Sequence, residues 1–317
     1  MNRNMLTLIA RRCGAGMLMM LLISALVFFI TSLLPGDAAQ MILGQSATPE
    51  TVAALRSQLG LDQPLLVRYL DWLTGMLRGD FGTSFASNVP VTQLIAQRIP
   101  ATFELAAVTT LVSVPLALVI GIVAAMNRGS WLDRALVVGT MSVVAVPEFL
   151  VATVAVLVFA VKLHWVPAMS LGSPNQDLAG FLRTYALPVI TLCCVLVAQM
   201  ARMTRAAIIN QLDSPYLEMT LLKGVPPLRA ILRHALPNAV GPIANAISLS
   251  LSYLFGGVLI IETIFSYPGL ASQMVDAVSN RDLPVVQICV MFFSVCYLSL
   301  LLVADIITIA FNPKWRG

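Results

Sequence analysis

Six long apolar runs mark the chain, at about residues 13–34, 101–126, 135–161, 185–207, 238–261 and 285–311, and charged, glycine and proline residues gather between them. Each run reaches the roughly 20 residues a helix needs to cross a hydrocarbon layer. None alternates apolar and polar positions with the period of two that a barrel strand shows. Backbone polar groups left unsatisfied in lipid are costly, so runs of this kind predict a bundle of six transmembrane α-helices. No small-residue cleavage site precedes Pro35-Gly36-Asp37, so the first run is expected to remain attached as an anchor.

The pattern between the first two runs predicts more than a connection. Thr48-Pro49-Glu50 reads as an N-cap, a proline at the first helical position and an acid in the first turn, with Gly60 as the stop. Asp62 and Pro64 then open a second helix, in which Leu65, Leu66, Tyr69, Leu70, Leu73, Met76 and Leu77 recur at helical spacing. Gly79-Asp80-Phe81-Gly82 closes it as a turn. The chain therefore divides into residues 1–34 (N-terminus and first span), 35–100 (an external helical loop whose Tyr69 and Trp72 suit an interfacial position) and 101–317 (a five-helix core).

The connection at about 208–237 is the second folded element. Asp213 or Ser214 is placed to cap a short helix with Pro215 in its first turn. Gly224-Val225-Pro226-Pro227 breaks that helix, and a basic helix follows that is expected to end before Pro237. A rigid helix–turn–helix outside the membrane can dock into a groove on a soluble partner and pass rigid-body motion to the bundle. The fold class is thus an all-α polytopic membrane protein: six transmembrane helices, an outer helical loop domain and cytoplasmic coupling helices.

Composition supports this and removes other classes. Of 317 residues, 58% are hydrophobic and 11% charged, against about 25% charged in ordinary soluble chains. The net charge of +4 is spread along the chain rather than gathered in a stripe, so no nucleic-acid partner is expected. With the N-terminus inside, Arg3, Arg11, Arg12, Arg128, Arg134, Arg202, Arg205, Lys223, Arg229, Arg233, Lys314 and Arg316 fall on the cytoplasmic side. Arg56, Arg68, Arg78, Arg98, Lys162, Arg183 and Arg281 fall outside, four of them in the long first loop, which influences topology weakly. Both termini are therefore expected in the cytoplasm. The cysteines Cys13, Cys193, Cys194, Cys289 and Cys296 sit in apolar runs without ligand spacing, and His164 and His234 have no second ligand near them, so no metal is expected on this chain. No Ser–base pair or cluster of His and Asp suggests an intramembrane enzyme, and no Gly-x-x-x-x-Gly-Lys-Ser/Thr phosphate loop is present.

Glu218, Gly224, Leu236 and Pro237 match, at the right separations, the Glu-Ala-Ala, three residues, Gly, nine residues, Ile-x-Leu-Pro pattern by which binding-protein-dependent ABC transporter permeases engage their ATPases. Met219 and Thr220 replace the two alanines and His234 the isoleucine. Leu34-Pro35-Gly36-Asp37, Leu59-Gly60-Leu61-Asp62-Gln63-Pro64-Leu65, Gly79 to Ser84 and Pro100 to Leu105 extend the likeness. So do Gly129-Ser130-Trp131-Leu132-Asp133-Arg134, Phe265 to Leu270 and Arg281 to Gln287. Over essentially its whole length the chain resembles the dipeptide, oligopeptide and nickel subfamily of these permeases. It departs at Ala38, where proline is frequent, and at Asn312-Pro313-Lys314, where an acid and arginine are usual.

That resemblance implies a permease subunit in a bacterial inner membrane. Its partners would be a homologous permease subunit, two cytoplasmic ATPase subunits and an extracytoplasmic solute-binding protein, with membrane lipid around it. No cofactor would bind this chain, ATP and Mg being held by the ATPases. The transported solutes would be peptides or related small molecules, with nickel or another metal chelate as the alternative. A secondary transporter would instead want paired half-helices or inverted halves carrying ion ligands, which the sequence does not display. The resemblance puts ATPase coupling on Tyr216, Glu218, Thr220, Lys223, Gly224, Arg229, Arg233, Leu236 and Pro237.

Glu148 follows Pro147 near the middle of the third run. An ionisable residue inside a span is costly. It either lines the pathway and favours a cationic or amine-bearing solute, where the family commonly has a small polar residue, or packs between helices as a protonated or hydrogen-bonded acid. Glu104, Glu262 and Asp305 lie near span ends and are expected to serve structure.

Overall fold

The computed structural model describes residues 3–33, 38–170 and 177–311. The Leu34–Asp37 tetrad and Asn312-Pro313-Lys314 lie outside the described residues. In chain order the helices are α1 (Arg3–Leu33), α2 (Ala38–Leu43), α3 (Pro49–Gln58), α4 (Leu65–Leu77), α5 (Val91–Met126), α6 (Trp131–Ala145), α7 (Glu148–Ala155), α8 (Leu178–Leu212), α9 (Pro215–Leu222), α10 (Pro227–Ala230), α11 (Leu236–Ile264), α12 (Leu270–Ser279) and α13 (Leu283–Phe311). A 3₁₀ turn covers Gly44–Ser46, and π-helical segments cover Val156–Lys162 and Ile231–Ala235. Among the described residues the only strand-like pairing is an isolated bridge between Thr83 and Pro90. The protein is an all-α polytopic membrane protein.

Among the described residues, five unbroken helices are long and apolar enough to span a membrane: Ile9–Leu33, Val91–Met126, Ala179–Leu212, Leu228–Ile264 and Leu283–Thr308. The third apolar run is not one straight helix. It is α6 followed by α7 and its π extension, bent by 96° at Val146-Pro147. Pro147 removes an N–H and its ring crowds the preceding turn, while Val146 before it takes the extended conformation that the residue before a proline prefers.

One compact unit comprises residues 15–102 and 268–295. Its α3 begins as the sequence indicates: the Thr48 side chain accepts from the Thr51 backbone, Thr51 returns a bond to the Thr48 backbone, and Pro49 opens the helix. Tyr69 and Trp72 on α4 pack against Phe28 of α1, with ring centroids 5.5 Å apart in both cases, and the Tyr69 hydroxyl lies 2.9 Å from Ser24 Oγ. The aromatic residues are therefore anchors against the first span. Val91, Ile95, Leu270, Ala277, Val285, Ile288 and Cys289 form the buried core of this unit. The helix α12 lies in the stretch between the fifth and sixth apolar runs, where the sequence pattern predicts no element. Asp282 joins its C-terminal turn to the loop near residue 85: its carboxylate accepts from Ser84 Oγ and from the N–H groups of Phe85 (2.9 Å) and Ala86 (3.4 Å).

The other unit comprises residues 1–14, 103–267 and 296–317. Here α8 packs along α11 and α6, and Ala125, Ala207, Ile208, Ile231, Ala239 and Ile243 are buried together. Asp305 pairs with Arg12 at 2.9 Å. The Tyr185 and Tyr267 hydroxyls meet at 3.0 Å with Glu104 beside them, and Glu262 is fully buried. Burial holds the Tyr267 hydroxyl well above the ordinary phenol range.

Candidate functional site: the elbow between the fourth and fifth spans

The elbow is built from α9, the Gly224 turn and α10. Neither expected cap acts through its side chain. The Asp213 carboxylate accepts from Arg128 at 2.6 Å, and the Ser214 hydroxyl donates to the Gln211 carbonyl at 2.6 Å. The Ser214 carbonyl instead accepts from the N–H groups of Leu217 and Glu218, at 3.0 and 3.1 Å. Gly224 has φ +81°, a left-handed conformation that residues with a Cβ rarely adopt, and it turns the chain from α9 into α10.

The basic helix does not end before Pro237. It runs through the π segment Ile231–Ala235 directly into α11, so that Leu228–Ile264 forms one continuous rod. Proline usually stops a helix because its ring meets the carbonyl four residues back, here Arg233. Arg233 lies within the widened π turn, and Pro237 is the second residue of α11, directly after that turn. The elbow is thereby joined to the fifth span without a break.

Leu217, fully buried, packs with Ala230 and Ala235 and against Leu212 and Val225, giving the elbow its own small core. The Tyr216 hydroxyl lies 3.1 Å from His234 Nδ1 across the turn, and the buried Thr220 hydroxyl donates to the Tyr216 carbonyl at 2.9 Å. The structure thus brings Tyr216, Thr220 and Gly224 into one folded element with Leu236 and Pro237 at its exit. Glu218, Lys223, Arg229 and Arg233 are exposed on it, and none has an ion-pair partner among the described residues. Met219 and Leu222 are 55% and 75% exposed, although Leu217 already supplies the internal packing. This outward face, apolar side chains ringed by charges of both signs, has the composition of a docking surface.

A second contact ties the elbow to its surroundings. Arg128 lies on the turn between α5 and α6, and Asp133 in the first turn of α6. The Ser130 side chain caps α6 by accepting from the Asp133 N–H at 3.2 Å, and the Gly129 N–H donates to Asp133 Oδ2 at 2.9 Å. Asp133 then receives a fork from Arg205 of α8, Nε to Oδ1 at 2.6 Å and Nη2 to Oδ2 at 2.7 Å. The role of the Gly129 to Arg134 motif was not legible in the sequence, because Arg205, the partner of its Asp133, is distant in the chain. Glu148 stands apart from the elbow, at the first residue of α7.

A bundle of apolar spans carrying a folded, charged elbow is the architecture of a membrane transport subunit. The chain belongs to the family of binding-protein-dependent transport system inner membrane components, which residues 117–317 match, while residues 5–106 match the N-terminal membrane component of such systems. It is 35% identical over 308 residues to a Sinorhizobium fredii protein named "Probable peptide ABC transporter permease protein y4tP", covering 97% of this chain and 98% of that one. It is 36% identical over 297 residues to the glutathione transport system permease protein GsiC of Salmonella choleraesuis, covering 94% of each chain. It is thus a multi-pass inner-membrane permease of the peptide ABC transporter type, a transporter component and not an enzyme.

Proposed function

We propose that this chain is one permease subunit of an ATP-driven importer of peptides or related small amine-bearing solutes. It forms the translocation pathway with a homologous permease. Two ATPase subunits, which hold ATP and Mg, dock on the elbow from the cytoplasm, and a solute-binding protein delivers cargo from the other side. Both termini then face the cytoplasm, and the loop of residues 35–100 lies outside. The observation that carries this reading is the elbow itself: a turn fixed by Gly224, an exposed face of Met219, Leu222, Glu218 and Lys223, and continuity through the π segment into α11.

Closure of the ATPases would move α9 as a rigid body. The rod running from Leu228 to Ile264 would carry that movement along the fifth span, and the Arg128–Asp213 and Arg205–Asp133 pairs would carry it to α5, α6 and α8. The test is expression of the complete transporter in vesicles. Copurification of two ATPase chains with this one and vanadate-sensitive peptide uptake are expected. Uptake that persists without ATPase subunits would reject the reading in favour of a secondary transporter.

A further inference from the structure

Glu148 opens onto a cavity of about 290 Å³ lined by residues of α7, α8 and α11. Three lining side chains are polar, those of Glu148, Gln199 and Tyr253, and the rest of the wall is aliphatic or glycine. Gly257 makes room for the carboxylate: a Cβ there would lie 2.8 Å from Glu148 Oε2 and 3.2 Å from Leu192 Cδ2. Among the described residues, the Glu148 carboxylate has no hydrogen-bond or ion-pair partner. Two fully buried carboxylates are, by contrast, satisfied: Asp133 by the Arg205 fork and Asp282 by Ser84 and two backbone N–H groups.

A carboxylate within an apolar section of a bundle is costly unless a positive charge or donors accompany it. This cavity holds acceptors and no cation: the carboxylate, the Gln199 amide oxygen, and the hydroxyl and ring of Tyr253. What it lacks is a positive charge, which a protonated amine would supply together with N–H donors for the carboxylate. Its size lies near the lower end for small-molecule pockets, which suits one charged group and its attached carbons rather than a whole peptide. We infer that Glu148, with Gln199 and Tyr253, forms a subsite for the protonated amine of the transported solute. The permease itself then selects amine-bearing cargo in addition to whatever its binding protein selects. The inference rests on the importer reading above and specifies the solute class.

The test compares uptake of alanyl-alanine, which carries a protonated amine, and of N-acetyl-alanyl-alanine, which does not, by the reconstituted complex, each at saturating binding protein. Glu148→Gln is expected to lower the alanyl-alanine to N-acetyl-alanyl-alanine uptake ratio by at least about tenfold, the low end of the coupling between close charge pairs. Glu148→Asp should retain part of the preference. Gly257→Ala should reproduce the loss by displacing the carboxylate, whereas Gly139→Ala, whose added Cβ meets nothing within 4 Å, should not. An unchanged ratio in both Glu148→Gln and Gly257→Ala overturns the subsite and leaves the importer reading intact.

Should the wild-type complex take up neither peptide, the importer reading for peptides fails while the subsite stays testable on the purified chain. A fluorescent carbodiimide should then label Glu148, and methylammonium chloride should protect it more than sodium chloride at equal ionic strength. Equal labelling in the two salts overturns the subsite independently of transport.

Discussion

Arg205 holds Asp133 with both arms of its guanidinium, Nε on Oδ1 at 2.6 Å and Nη2 on Oδ2 at 2.7 Å, which binds α8 to the start of α6. Asp133 is 3% exposed, so removing its partner would strand a charge rather than return it to water. Breaking a buried pair on one side costs about 3–5 kcal/mol. Arg205→Leu is therefore expected to lower the thermal midpoint of the purified protein, followed by fluorescence-detected size exclusion. Arg205→Lys should recover only part of the loss, since an ammonium cannot form the fork. A midpoint unmoved by Arg205→Leu would show that the pair contributes nothing.

The Gly224 turn makes a sharper demand. At φ +81° an added Cβ is strained, by about 1–2 kcal/mol for a left-handed residue. Gly224→Ala should weaken coupling, and Gly224→Pro, whose ring fixes a negative φ, should abolish it. Glu218→Lys, at an exposed position with no internal partner, should also uncouple transport without touching the fold. The measurement is peptide uptake alongside membrane content of the protein. Normal uptake in both Gly224→Pro and Glu218→Lys would remove the elbow from the coupling path.

How far these features could be read in advance depends on how local their causes are. Thr48, Pro49 and Gly60 announced α3 because an N-cap, a proline at N1 and a glycine stop act within a few residues. Gly224 announced its turn for the same reason. The extension through Pro237 was not legible, because proline stops an α-helix and nothing nearby signals the π turn that accommodates it. The 96° bend at Pro147 was half legible: the proline foretold a break, but its angle is a property of two helices. The helix α12 was missed because its apolar residues Leu270 and Ala277 pack on Val91 and Ile95, far away in the chain. Gln199 and Tyr253 were visible as polar residues inside apolar runs, yet nothing in the sequence joined them to Glu148.

Asp282 makes a prediction for the other unit. Its carboxylate holds the loop near residue 85 through Ser84 Oγ and the N–H groups of Phe85 and Ala86. Hydrogen bonds to a charged acceptor are worth about 1.5–3 kcal/mol each when lost from a buried site. Asp282→Ala should loosen the 79–90 segment and expose it to limited proteolysis. Asp282→Asn, which keeps one acceptor oxygen, should be intermediate. Identical digestion of wild type and Asp282→Ala would show that the loop is held by its apolar contacts alone.

The exposed face of α9 gives the last prediction. Tyr216, Met219 and Leu222 present 56%, 55% and 75% of their surface, while Leu217 is fully buried in the elbow's own core. Interface energy concentrates in a few apolar and aromatic anchors that become desolvated on docking. Met219→Asp and Leu222→Asp are each expected to weaken ATPase association by at least about 2 kcal/mol, roughly 30-fold, without lowering the protein's own stability. Leu217→Ala acts differently. It empties a packed position, costs about 2–5 kcal/mol of elbow stability and should lower both association and thermal midpoint. Pull-down of the ATPase subunits beside a melting curve separates the two cases. If the exposed-face variants lost stability but kept the ATPases, α9 would be a packing element and the docking surface would lie elsewhere.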